Sequence, residues 1–193
     1  MYDEDYFTKE KNSPYCGYPK SRNGENLVVG QMKDRTRMLI KKYGSNFSLL
    51  DLGCATGILV KMLRDEGVSA YGIDFADWAI NNKVCEYVEK VDVLSMKELS
   101  HFDVVHSSDF LEHLPEDRIW EILLLLSKNC DYMEHFIPFY PQLDTPVKGK
   151  ADIHLCQVNG EWWQEVFSSI PNFKITSFPK EDYGGYITCK RVS

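Results

Sequence analysis

The segment Ser48-Leu49-Leu50-Asp51-Leu52 is a short apolar run that ends at Gly53, and Gly57-Ile58-Leu59-Val60-Lys61-Met62-Leu63-Arg64 follows it as a helix. A buried strand that turns at once into a helix leaves few architectures open. When the alternation is sustained, the elements pack as a parallel sheet with helices on both faces, and the ligand site lies beyond the carboxyl ends of the strands.

The alternation is sustained. Before the run, Leu27, Val28, Met32, Leu39, Ile40 and Tyr43 fall at helical spacing, and Gly44 stands where a glycine ends a helix. After it, Gly67 stops the helix, Val68 to Ile73 reads as a strand, Ala76 to Cys85 as a helix and Tyr87 to Val93 as a third strand. Phe102 to His106 is a fourth strand, and Pro115 sits at the first turn of a helix carrying Ile119, Ile122, Leu123 and Leu126. Tyr132 to Ile137 is a fifth strand, and Pro138 to Gly160 has no regular period and is too long for a plain connector. Glu161 to Ser169 is a last helix, and Phe173 to Phe178 and Tyr186 to Val192 are two strands joined by a turn at Gly184-Gly185.

Within this pattern Leu49-Leu50-Asp51-Leu52-Gly53-Cys54-Ala55-Thr56-Gly57 and Gly72-Ile73-Asp74 carry the chemistry. Gly53 and Gly57 let the backbone turn tightly and approach a ligand, and Asp74, at the end of the next strand, is placed to accept both hydroxyls of a ribose. A pyrophosphate at this loop would be repelled by Asp51, whereas a ligand bearing an ammonium and a sulfonium would be attracted. The loop also lacks the Lys-Ser or Lys-Thr ending of a phosphate-binding loop. These features favour S-adenosyl-L-methionine over a dinucleotide.

Taken together, these segments resemble the class I S-adenosylmethionine-dependent methyltransferase superfamily, and its small-molecule branch in particular. Asp51 to Gly57 looks like that family's first motif, Asp74 like its ribose-binding acid and Asp92-Val93 like the pair flanking the adenine. Phe102-Asp103-Val104-Val105-His106 with Asp109-Phe110-Leu111-Glu112-His113-Leu114 looks like its fourth strand and the segment after it. The resemblance implies a Rossmann-like α/β fold, a doubly wound and mostly parallel sheet with a C-terminal antiparallel hairpin and strand order 3-2-1-4-5-7-6. It implies a cofactor site of Asp51, Gly53, Cys54, Ala55, Gly57, Asp74, Phe75, Asp92, Val93, Ser108 and His113, with S-adenosyl-L-homocysteine as product and no metal. Cys54 and Ala55 stand where many members have a further glycine. Tyr2-Asp3-Glu4-Asp5-Tyr6-Phe7 and the later His154 before Glu161-Trp162-Trp163 are similar, more loosely, to methyltransferases of glycan and natural-product pathways.

Several residues admit two readings. His113 is either beside the cofactor or a helix-entry residue, and Glu112 is similar. Asp92 is an adenine partner or a turn-forming acid. His154, in the long stretch after the fifth strand, is the best single candidate for a base that takes a proton from an acceptor hydroxyl, its alternative being a surface loop histidine. His101, His106 and His135 read as structural. One of Trp162 and Trp163 belongs in the core, and the other is left open.

The remaining expectations are broad. Residues 1–26, with Tyr2, Tyr6, Phe7, Tyr15 and Tyr18, form an aromatic arm or lid, and residues 27–193 form a single methyltransferase domain. Six cysteines scattered singly, without zinc-ligand spacing, read as reduced thiols. The acidic opening is the opposite of an export signal, and the apolar runs are too short to span a membrane, so a cytoplasmic protein is expected. A net charge of −7 argues against nucleic acid as a partner and leaves a small-molecule acceptor, such as a sugar or natural-product hydroxyl. The other classes weighed are a nicotinamide dehydrogenase, a nucleic-acid or protein methyltransferase, and a non-catalytic cofactor-binding module.

Overall fold

The computed structural model describes residues 27–139, 155–180 and 183–192. Seven strands form one sheet in the order β3-β2-β1-β4-β5-β7-β6. This is the expected Rossmann-like α/β topology. The chain divides into two compact units, one ending at Asp92 and the other beginning at Val93.

The first unit opens with α1 (Leu27–Tyr43), which buries Leu39 and Thr36. Lys41 and Lys42 in its last turn complement the negative end of the helix, and Gly44, at φ +79°, closes it by donating its N–H to the Ile40 carbonyl at 2.8 Å. Strand β1 (Ser48–Leu52) buries Leu49, Leu50, Asp51 and Leu52, as a strand covered on both faces must. It runs parallel to β2 (Ser69–Asp74), with Leu50 opposite Tyr71 and Asp51 opposite Gly72, and β2 runs parallel to β3 (Val88–Lys90).

Between β1 and β2, α2 (Ile58–Asp65) buries Leu59, Val60 and Leu63. Its Arg64 lies over the rings of Tyr71 and Tyr87, at 4.3 and 3.6 Å from their centroids, and donates from Nε to the Ala70 carbonyl at 2.6 Å. One side chain therefore joins the helix to the strand beside it. The next helix, α3 (Asp77–Asn81), is shorter than the expected Ala76 to Cys85. The cause is a bond outside the helix: Val84 donates its N–H to the Thr56 carbonyl at 2.9 Å, which draws the chain off the helical path.

In the second unit, β4 (Phe102–Ser108) runs parallel to β5 (Cys130–Pro138), with His106 opposite Glu134 and Ser107 opposite His135. The connecting α4 (Glu116–Lys128) buries Ile119, Ile122, Leu123 and Leu126, and Pro115 stands immediately before it as its cap. Helix α5 (Gly160–Ser168) starts where the Asn159 side chain accepts the Trp162 N–H at 3.0 Å, and it buries Trp163 and Phe167. Strands β6 (Phe173–Ser177) and β7 (Gly184–Arg191) are antiparallel to each other, and β7 is antiparallel to β5. Gly184 and Gly185 belong to β7 and not to the turn before it. At Gly184 a side chain would collide with the backbone of Ile137, Pro138 and Phe139, so a glycine that reads as a turn signal serves here for close strand approach.

Leu63 has no solvent exposure and lies on the buried face of α2. Leu63→Ala is expected to lower the unfolding free energy by about 2–5 kcal/mol, the range for truncating a packed core leucine, as read from the urea midpoint at unchanged slope.

Candidate functional site

Asp51 points the way out of β1, and the chain then takes three left-handed residues in quick succession: Gly53 at φ +66°, Ala55 at φ +49° and Gly57 at φ +79°. The Gly53 and Cys54 N–H groups both donate to the Ile73 carbonyl, at 2.9 and 3.1 Å, which folds the turn back onto the end of β2. Gly57 donates to the Cys54 carbonyl at 2.9 Å and accepts from the Lys61 N–H at 2.9 Å, so it ends the turn and starts α2. A β-carbon at Gly57 would strike Val88, and one at Gly72 would lie 2.6 Å from the Cys54 sulfur. The loop is held this close only because both positions lack side chains.

Ala55, where a further glycine is common in the resembling family, adopts the left-handed conformation all the same. What holds it there is Asp74: its Oδ2 accepts the Ala55 N–H at 2.9 Å, and its Oδ1 accepts the Ala76 N–H at 2.8 Å. Burial raises the Asp74 carboxyl above its usual value against the pull of the Ala76, Ala55 and Phe75 amides, and Asp51 adds a small like-charge contribution. A carboxylate has about four lone-pair positions, so Asp74 keeps acceptor capacity after these amides are served. That capacity suits a ribose hydroxyl, and the residues present fit an adenosyl group. Phe75, next in the chain, is 48% exposed and offers a ring face, and Val91 donates to the Asp74 carbonyl at 2.9 Å, which draws the segment ending in exposed Asp92 alongside β2.

Thus the structure brings Asp51, Gly53, Cys54, Ala55, Gly57, Asp74 and Phe75 together around one turn. Thr56 and Gly72 join them, the first through its carbonyl bond to Val84 and the second as the floor under Cys54. The sequence offered a sign of Gly72 in Gly72-Ile73-Asp74 but none of the Thr56 contact.

The second unit holds the other expected residues. Val93 is buried in a 3-10 turn (Val93–Ser95). Ser108 ends β4, and its hydroxyl donates to Asp109 Oδ2 at 2.7 Å. Asp109 has φ +50°, unusual for a residue with a side chain, and leads into the 3-10 turn Leu111–His113. In that turn Glu112 is fully buried, and among the described residues neither carboxyl oxygen has a partner of good hydrogen-bond geometry. Burial, with Asp109 adding to it, raises its pKa well above the usual value. His113 Nε2 lies 3.9 Å from Glu112 Oε1, beyond hydrogen-bond reach, and its side chain is nearly buried. His154 lies outside the described residues.

His106 and His135 are buried in adjacent strands, and His135 Nδ1 is 2.8 Å from the Ser107 hydroxyl. His101 is exposed instead, 3.5 Å from Asp131. Trp163 is the core tryptophan, with Trp162 half-buried and edge-on to it at 5.0 Å between ring centroids.

A family model described as a methyltransferase domain matches residues 18–130. The chain belongs to this family. Its members use S-adenosyl-L-methionine as methyl donor. Over 78 residues the chain is 33% identical to a ubiquinone biosynthesis O-methyltransferase of Nitrosospira multiformis, covering 35% of this chain and 33% of that protein. A protein of the same name from Nitrosomonas europaea is 29% identical over 82 residues, or 37% of this chain and 35% of the relative. The chain therefore spans about a third of the length of these relatives. Among solved structures, magnesium protoporphyrin IX methyltransferase from Synechocystis PCC 6803 with bound SAH matches with a TM-score of 0.66 at 15% identity, covering 85% of this chain and 83% of that one. A methyltransferase from Archaeoglobus fulgidus matches at 0.63 and 20% identity, over 84% and 94% of the two chains. These likenesses establish the methyltransferase fold. Among the described residues no helix is long and apolar enough to cross a membrane.

Burial, with a smaller contribution from the nearby His106, lowers the His135 pKa to about 3, so the folded chain holds this ring neutral. The unfolded chain binds a proton near pH 6.5 that the folded chain refuses until about pH 3, so stability is full above pH 6.5 and falls as the pH drops between those values. The slope per group is about 1.4 kcal/mol per pH unit. Urea unfolding at a series of pH values is expected to follow this course, and His135→Gln, which does not titrate, is expected to flatten it.

Proposed function

We propose that the chain transfers a methyl group from S-adenosyl-L-methionine to a hydroxyl of a small-molecule acceptor, a sugar or natural product. The observation that carries this reading is the Asp74 carboxylate, which fixes the glycine-spaced turn through Ala55 and keeps acceptor capacity for a ribose. In this reading Asp51, Gly53, Cys54, Ala55, Gly57, Asp74, Phe75 and Asp92 hold the cofactor in the first unit, and Val93, Ser108 and His113 are the candidates that the second unit carries.

Bound S-adenosyl-L-methionine supplies an electrophilic methyl group on a sulfonium. The chain's own residues contribute alignment, and holding two reactants in line can supply roughly 7–11 kcal/mol of the barrier. The turn from Gly53 to Gly57 sets the position of one reactant. In this reading His154, which lies outside the described residues, accepts the hydroxyl proton, worth roughly 10²–10⁴-fold when the base is in reach. The hydroxyl acceptor is supported by the two relatives named as ubiquinone biosynthesis O-methyltransferases. A sugar is supported by the likeness to the N-terminal domain of EvdMO1, whose structure was obtained with SAH and D-fucose.

Calorimetry is expected to detect binding of S-adenosylmethionine and S-adenosylhomocysteine and none of NAD. Asp74→Ala is expected to weaken binding by about 1.5–3 kcal/mol, the range for hydrogen bonds to a charged group. Ribose hydroxyls donate best to the ionised carboxylate, and burial raises its pKa. Affinity should therefore weaken on acidification at a pH above the usual aspartate value of about 3.9. Equal affinity in Asp74→Ala, with the protein folded, would move the ribose elsewhere.

A further inference from the structure

The turn after β4 buries a carboxyl where an apolar side chain would pack more cheaply. Glu112 has no solvent exposure, and among the described residues neither of its carboxyl oxygens has a partner of good hydrogen-bond geometry. The backbone keeps it there. The Asp109 N–H donates to the Phe136 carbonyl of β5 at 3.1 Å, the His113 N–H to the Phe110 carbonyl at 3.0 Å, and the Cys156 N–H to the Glu112 carbonyl at 3.0 Å. Leu111 and Leu114 anchor the same turn in the core, and the chain enters it through Asp109 at φ +50°. Strain and a buried polar group in one turn mark a place that packing alone does not explain. The polar atom nearest this carboxyl with a printed distance is on the next residue: His113 Nε2 lies 3.9 Å from Glu112 Oε1, and the His113 side chain is 11% exposed, so the ring reaches the surface that the acid does not.

We propose that Glu112 is a positioning residue for methyl transfer: its carboxyl donates to His113 Nε2 and fixes the ring with its proton on Nδ1, as a hydrogen-bond donor toward the cofactor. This rests on the reading that His113 belongs to the cofactor site.

Burial and the like charge of Asp109 both favour the uncharged form of Glu112. A carboxylic acid has one O–H to give, and the imidazole nitrogen that accepts it carries no hydrogen of its own. The ring's proton is therefore on the other nitrogen, because the bond made at one nitrogen sets the state of its partner. Free histidine prefers its proton on Nε2, so a proton on Nδ1 is a state that Glu112 imposes. The 3.9 Å separation is about an ångström longer than a formed hydrogen bond. Bonds of this kind are often long before a ligand binds and tighten in the complex. The backbone bonds of the turn hold Glu112 in place, and the adjustment falls to the His113 ring.

The test reads the histidine tautomers of the purified full chain by long-range proton–nitrogen NMR at neutral pH, with His113→Gln to assign the ring, and titrates S-adenosylhomocysteine by calorimetry. The wild-type His113 ring is expected to carry its proton on Nδ1, with the ligand and without it. Glu112→Gln, whose amide donates as the acid does, is expected to keep both this tautomer and the affinity. Glu112→Met, of similar length and without a donor, is expected to return the proton to Nε2 and to weaken binding about tenfold, as the loss of one hydrogen bond does. Its urea midpoint is expected at or above that of the wild type, because an apolar chain replaces a buried carboxyl; a purely structural role would lower the midpoint and leave the tautomer unmoved. A wild-type ring protonated on Nε2 or on both nitrogens overturns the pairing, and so does a folded Glu112→Met that binds as tightly as the wild type. Should Glu112→Met not fold, the spectra of the wild type and Glu112→Gln decide. Wild-type protein that binds no S-adenosylhomocysteine overturns the cofactor reading instead, and the tautomer still decides whether Glu112 holds His113.

Discussion

The two oxygens of the Asp74 carboxylate do different work for the first unit. One holds the Ala55 amide and so keeps a residue with a side chain in the left-handed conformation; the other holds the Ala76 amide ahead of α3. The carbonyl of the same residue accepts from Val91 at the end of β3. Three segments that leave the carboxyl ends of β1, β2 and β3 are thereby tied to one residue. The left-handed conformation costs about 1–2 kcal/mol for a residue with a β-carbon. A hydrogen bond to a charged group returns about 1.5–3 kcal/mol, enough to decide the conformation of Ala55 without a glycine.

The first unit was legible because its turn must satisfy a steric demand that few residues meet. Gly53, Gly57 and Gly72 are required by positive φ or by close packing, and such requirements leave their mark in the residue itself. The limits of α3 were not legible, because they depend on the Val84–Thr56 bond between segments far apart in sequence. Gly184 and Gly185 misled for a related reason: the same residue type serves a turn and a close strand approach, and only the pairing with Ile137 and Pro138 separates the two. The left-handed Asp109 and the buried Glu112 had no local sign at all, since an aspartate and a glutamate read as surface acids until the burial around them is known.

The second unit carries a row of polar side chains where apolar ones would pack more cheaply. His106, Glu134 and Thr188 are opposite one another on β4, β5 and β7, and the Thr188 hydroxyl donates to Glu134 Oε2 at 2.9 Å. On the next row Ser107 meets His135. Buried polar groups of this kind stabilise little on balance, but mispairing them is costly, so they fix strand register: a slip by one residue would part His106 from Glu134 and Ser107 from His135. A solved structure only 15% identical shares the fold. The row's contribution is to the register of this particular sheet.

Charge distinguishes the turn of this chain from a phosphate-binding turn of similar shape. Backbone amides at a helix start attract anions, and in a phosphate loop they face the ligand unopposed. Here the Gly53 and Cys54 amides are spent on the Ile73 carbonyl and the Ala55 amide on Asp74, so these three donors are not open to a phosphate. What the turn leaves available is the acceptor capacity of a carboxylate with a second buried carboxylate, Asp51, close enough to raise its pKa. A ligand that brings hydroxyl donors and positive charge relieves that repulsion, and one that brings a pyrophosphate adds to it. The selection of an adenosyl sulfonium over a dinucleotide follows from which groups the turn has already used.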